Sequence, residues 1–172
     1  ARWRRWRCPC RRVNAQCAYV GLGANLGDDL TATLQSALHA LAALPATRLV
    51  AVSSAWRSAP VQATGPDFLN AVVCLATTLP PEALLDALQA IEQQHGRQRP
   101  YPNAPRTLDL DLLLYGQLRL RTDRLTLPHP RLGERAFVLR PLLELDPALR
   151  TLADDHSGWQ TQACELFGPL TL

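Results

Sequence analysis

The sequence predicts an α+β fold with a ferredoxin-like βαββαβ core, an antiparallel sheet carrying both helices on one face, followed by a C-terminal hairpin and short helices. Three observations carry this expectation. Apolar residues alternate as in strands or recur at helical spacing in the order strand, helix, strand, strand, helix, strand. Two strand–helix–strand crossovers then flank a central hairpin, which is the split βαβ arrangement. The 172 residues are enough for one core without staples. The sheet face opposite the helices is left for loops and a ligand.

Residues 17–23, CAYVGLG, read as a first strand, small and apolar, with glycines where something packs close. Gly21, Gly23 and Gly27 are spaced GxGxxxG, a weak match to a dinucleotide-binding loop. Asp28 and Asp29 suit a helix first turn, and Leu30, Leu34, Ala37, Leu38 and Leu41 repeat at helical spacing until Pro45. A second strand is expected over 48–56 (RLVAVSSAW), a Pro/Gly loop over 58–66, and a third strand over 68–78. Asn70 is the one amide of that strand; it either satisfies neighbouring backbone or reads a ligand, and the structural role is the more economical. Pro80, Pro81 and Glu82 open a second helix with Leu84, Leu85, Leu88 and Ile91 as its stripe and Gly96 at its end. Residues 97–105, a proline-studded loop with Arg97, Arg99 and Tyr101, suggest an anion-binding flap. Beyond Gly116, residues 118–121 and 124–127 form a short hairpin, and a helical stretch runs to Leu145. The tail after Asp146 shows no usable pattern.

Composition narrows the function classes. No apolar run reaches 18 residues, so a membrane-spanning helix is not expected. All 18 basic residues are arginine, and six of them precede residue 13 with no acid among them. Without those six the net charge of +3 becomes −3, so the body is mildly acidic and a general nucleic-acid surface is not indicated. Residues 1–16 are expected to be a disordered basic extension and 17–172 a single domain. The five scattered cysteines form no zinc set and fit a reducing cytoplasm.

The stretch richest in chemistry is 105–116, PRTLDLDLLLYG. On a strand Asp109 and Asp111 share one face, with their stems roughly 7 Å apart, while Leu108, Leu110 and Leu112 share the other. Two carboxylates on an otherwise apolar strand call for a cation. Arg106 adds positive charge at the mouth of the same site. His129, held between Pro128 and Pro130 and followed by Arg131, suits phosphate binding as well as it suits a structural role.

Taken in order, Gly23-Ala-Asn25-Leu26, Ser54 to Pro60, Asp67-Phe68-Leu69-Asn70, Glu92 with Gly96-Arg97, residues 105–111, Pro128-His129 and Arg135-Ala136-Phe137 resemble the 6-hydroxymethyl-7,8-dihydropterin pyrophosphokinase family over about residues 18–148. The resemblance implies diphosphate transfer from ATP to the pterin hydroxymethyl group, releasing AMP, in tetrahydrofolate biosynthesis. It implies Asp109 and Asp111 as ligands of two Mg²⁺ ions. It places Gln89, Glu92, Arg97, Arg106, Leu112, Arg124, Thr126, His129 and Arg135 around ATP, and Arg97, Arg106 and His129 with the Asp pair as catalytic groups. Ser58, Ala59, Val61, Phe68, Asn70 and Phe137 match the pterin pocket, where two rings sandwich the flat heterocycle. Phe68 stands where tyrosine is common and Ala59 where proline is, and the arginine-rich N-terminus has no counterpart in the family core. ATP and the pterin are the expected partners of a cytoplasmic monomer, with no nucleic acid or membrane. The alternative is a non-catalytic ferredoxin-like nucleic-acid-binding module using the basic arm. Its ligand face would carry Asp109 and Asp111, which repel phosphate without metal, and the aromatic pattern of RNA-binding sheets is absent.

Overall fold

A computed structural model describes residues 14–60, 64–96 and 107–172. The chain runs β1 (Gln16–Ala24), α1 (Leu30–Ala42), β2 (Thr47–Val52), β3 (Ala55–Ser58), β4 (Phe68–Thr77), α2 (Pro81–Gln94) and β5 (Asp109–Tyr115). A small hairpin of β6 (Leu120–Arg121) and β7 (Thr126–Leu127) follows, then α3 (Ala136–Leu145), three 3-10 turns and β8 (Cys164–Gly168). The main sheet has the order β5-β1-β4-β3-β8, with β2 also on β4, and its pairings are antiparallel. The two crossovers and the neighbours of β1 are those of the expected split βαβ core. Of the expected N-terminal extension, residues 1–13 lie outside the described residues and Gln16 already belongs to β1.

Local chemistry explains the helix starts. Asp29 caps α1 by accepting from the Ala32 N–H at 2.9 Å. Pro81 begins α2 where a missing N–H costs nothing, and Gly96, with φ +75°, ends it in the left-handed region. Both helices lie on one face. Leu34, Leu38 and Leu41 of α1 and Leu84, Leu88 and Ile91 of α2 pack on Val20, Leu22, Val73, Leu75, Leu110 and Leu112.

Three features differ from the sequence expectation. The second strand breaks at Ser53–Ser54 rather than running through 48–56. There the Ser53 hydroxyl accepts from the Val72 N–H, while the Glu144 carboxylate accepts from the Ser54 N–H, the Ser54 hydroxyl and the Trp56 indole N–H. Polar partners distant in sequence hold the bend. Next, the second face is not left to loops: α3 packs across β4 and β3, and Leu139 and Leu142 join Tyr19, Val72, Cys74, Leu113 and Trp159 in a second core. Gly21 and Gly23 of β1 lie on this same face, level with Asp111 and Asp109 of β5. Finally, the unpatterned tail contributes β8, which extends the sheet beyond β3. Cys17 is disulfide-bonded, which the reading of a reducing compartment did not foresee, and Cys74 and Cys164 are free buried thiols.

The second core predicts a contrast. Leu139→Ala, at a fully buried site, should cost about 2–5 kcal/mol in urea unfolding. Leu166→Ala, 61% exposed on β8, should stay within about 0.5 kcal/mol of wild type. Equal small losses would mean that α3 is not part of the core.

Candidate active site

On the second face, three adjacent strands bring the candidate site residues together. Gly23 of β1 pairs with Asn70 of β4 on one side and Asp109 of β5 on the other, and Gly21 pairs with Val72 and Asp111. The middle strand therefore offers no side chain between the amide and the carboxylates. A Cβ added at Gly23 would lie 3.3 Å from the Asn70 Oδ1 and 3.9 Å from the Phe68 ring. At Gly21 the nearest atoms would be those of Leu113, at ordinary contact distance. Along the middle strand the glycines thus leave a slot between Phe68 and Asn70 on one side and Asp109 and Asp111 on the other.

Asn70 is 3% exposed, and its two roles prove compatible. Its Nδ2 donates to the Ser58 hydroxyl at 2.8 Å and to the Trp56 carbonyl at 3.3 Å. The donors are thereby spent on the β3 wall, and the amide oxygen is turned toward the slot over Gly23. Ser58 is buried beside it, whereas Ala59 is exposed.

A basic wall faces the carboxylates from the segment before α3. The charges of Asp111 and Asp109 both act on the Arg135 guanidinium, whose pKa is nonetheless lowered, mainly by burial and then by Arg131. The guanidinium carbon lies 5.5 Å from the Phe137 ring centre, so the cation covers that ring. His129 is anchored by its N–H on the Leu113 carbonyl at 2.9 Å, following a cis Leu127–Pro128 peptide. Burial, then Arg135, lowers the His129 pKa, which favours the neutral ring. Its Nδ1 accepts from the Arg131 N–H at 3.2 Å, which puts the ring proton on Nε2 as a donor. Asp109, Asp111, His129 and Arg135 are thus brought together.

Glu92 has a different place. It is 2% exposed, and its Oε1 accepts from the Leu110 N–H at 2.8 Å. Leu110 lies between the two aspartates, so this carboxylate ties α2 to the backbone that carries them. Arg124 bonds the Asp86 carboxylate of α2 at the surface, and Thr126 is half-buried in β7. Gln89 is half-buried on α2, while the Leu112 side chain is in the main core, so that residue can offer a ligand only its main chain. Val61, Arg97 and Arg106 lie outside the described residues. Two contributors to the site escaped the sequence reading: the glycines as its floor, and Asn25, whose Nδ2 donates to the Pro66 carbonyl and fastens the loop before Phe68. Only the pairing of two glycines at period 2 on an apolar strand hinted at the first.

Comparison with known proteins identifies the family. The model of the 7,8-dihydro-6-hydroxymethylpterin-pyrophosphokinase (HPPK) family matches residues 19–147. The chain is 47% identical over 154 residues to the 2-amino-4-hydroxy-6-hydroxymethyldihydropteridine pyrophosphokinase of Pseudomonas aeruginosa, covering 89% of this chain and 94% of that one. The enzyme of the same name from Bacillus subtilis is 43% identical over 131 residues, 74% of this chain and 77% of that one. Among solved structures, a Plasmodium falciparum HPPK-DHPS superposes with a TM-score of 0.66 at 13% identity, over 86% of this chain. The present chain spans 44% of that longer one, and at such identity the likeness speaks for the fold alone.

The position of Glu92 generates a test. Glu92→Ala orphans a buried N–H and should lower stability by about 1–3 kcal/mol in urea unfolding, whereas Glu92→Gln, which keeps the acceptor, should lose less. Unchanged stability in both would fit a ligand contact instead of a buttress.

Proposed function

Since the chain belongs to the 7,8-dihydro-6-hydroxymethylpterin-pyrophosphokinase family, we propose that it transfers diphosphate from ATP to 6-hydroxymethyl-7,8-dihydropterin, with the slot over Gly23 as the site of transfer. The observation that carries the reading is the juxtaposition, across a floor without side chains, of a hydrogen-bonding amide and a carboxylate pair.

Each wall then has a task. The Asn70 oxygen accepts from the polar edge of the pterin, held in that orientation by Ser58 and the Trp56 carbonyl. Phe68 and Phe137 take the two faces of the flat ring. His129, through Nε2–H, and Arg135 bind phosphate oxygens and offset the charge that grows as AMP departs. Asp109 and Asp111 would hold Mg²⁺. The donor set fits: both are hard oxygen ligands, and among the described residues no group of three or more His, Cys, Asp or Glu gathers to form a protein-only cage. That composition suits magnesium, which takes one or two carboxylates and completes its shell with water and phosphate. When bound, the cation supplies charge neutralisation along the triphosphate and alignment of the attacking oxygen. No side chain is needed as a strong base, because positioning and electrostatics carry most of phosphoryl transfer. Arg97 and Arg106 are assigned to the triphosphate by their place in the matched stretch, and residues 17–172 to one catalytic domain.

The test is an AMP-release assay with ATP, Mg²⁺ and the pterin. AMP formation should require the pterin and cease on chelation of the metal. Asp109→Ala and Asp111→Ala should each cut turnover more than about 100-fold, a barrier increase of about 2.7 kcal/mol. Turnover within about tenfold of wild type in both variants would overturn the assignment of the carboxylates.

A further inference from the structure

The stretch matched by the family model ends at residue 147, yet the chain continues through 172 and returns to the site from two sides. On one side, β8 pairs with β3 and sets Cys164 opposite Ser58, the residue that orients Asn70. On the other, Gln162 spans the residue of most interest on the basic wall. Its Oε1 accepts from the Ala136 N–H at 2.9 Å, and its Nε2 donates to the Glu134 carbonyl at 2.8 Å. One amide thus bridges the peptide groups on either side of Arg135.

The bridge answers a need of the backbone. Ala136 is the first residue of α3, its N–H has no partner within the helix, and the N-cap position is Arg135, which makes no side-chain cap. Gln162 supplies the missing cap from 26 residues downstream. The same corner is held again where the Asp154 N–H donates to the Gly133 carbonyl at 2.9 Å. The approach there is so close that a Cβ on Gly133 would lie 2.5 Å from the Leu152 carbonyl oxygen.

We propose that residues 148–172 act as a clamp that sets the basic wall of the site, with Gln162 as the positioning residue for Arg135. The clamp touches neither ATP nor pterin; it fixes the direction in which Arg135 leaves the backbone, facing the aspartates. A 1 Å drift of a phosphate-binding guanidinium costs rate out of proportion to its size. This role rests on the transfer site proposed above.

The test compares pterin-dependent AMP formation by the full chain and a set of its variants. Gln162→Ala removes both bonds, Gln162→Glu keeps the acceptor for the Ala136 N–H, and Gly133→Ala wedges the tail away without altering any side chain of the wall. Gln160→Ala, whose side chain reaches only Asp155 on the surface, is the control. Gln162→Ala and Gly133→Ala should lower kcat/KM about tenfold or more while their near-ultraviolet dichroism remains that of wild type. Gln162→Glu should recover part of the loss, and the control should be unchanged. In an Arg135→Ala background, Gln162→Ala should add no further loss, because its effect passes through that side chain. A fully active, folded Gln162→Ala protein overturns the clamp, and so does an undiminished further loss in the Arg135→Ala background. If Gln162→Ala does not fold, Gln162→Glu and Gly133→Ala decide, and wild-type kcat/KM in both overturns it. Absence of pterin-dependent AMP from the wild-type chain instead overturns the transfer site itself and the clamp with it.

Discussion

The register of β1 between β4 and β5 is the constraint on which the site depends. Antiparallel pairing places Gly23 level with Asn70 and Asp109, and Gly21 level with Val72 and Asp111. Because side chains alternate along a strand, the same register turns Val20 and Leu22 into the core beneath α1 and α2. A slip of one residue would bury the aspartates in that core and lift leucines into the slot. The burial of one face thus specifies the chemistry of the other. A ligand laid across the bare middle strand reaches an amide on one side and two carboxylates on the other.

Around this floor, the positioning is done by polar contacts between elements far apart in the chain. Glu92 holds the backbone between the aspartates, Ser58 and the Trp56 carbonyl hold Asn70, Glu144 holds the bend before β3, and Gln162 holds the corner before α3. Each such bond contributes only about 0.5–1.5 kcal/mol net. Their larger value to the protein is directional. Each fixes the direction of a main-chain segment or, for Asn70, of a side chain. The apolar cores supply the free energy of folding, and the polar struts set the angles.

The parts of this design written in local periodicity were legible in the sequence. Asp109 and Asp111 announced a shared face because strands repeat every two residues, and the helices showed because leucines recur at helical spacing. The break at Ser53–Ser54 was not legible, since the partners that bend it, Val72 and Glu144, lie far off in the chain. Strand β8 was hidden for a related reason. Leu166 and Phe167 are both largely exposed, so Cys164–Gly168 carries no alternation of buried and exposed residues. The placement of α3 across the second face depended on a tertiary choice that its amphipathic pattern permitted but did not locate. Glu92 was readable as a site residue but not as a strut, because a sequence shows a carboxylate without its hydrogen-bond partner.

The most direct test of the central claim is the pterin-dependent rate of a Gly23→Val variant, set beside its urea unfolding curve. Valine is well suited to a strand, so the sheet should form, while its side chain stands in the slot between Asn70 and Asp109. The account predicts a cooperatively folded protein in which pterin-dependent AMP release falls more than about 100-fold, equivalent to about 2.7 kcal/mol of lost transition-state binding. A Gly23→Val protein that is folded and turns over like wild type would contradict it, because the substrate would then not lie across the glycine floor.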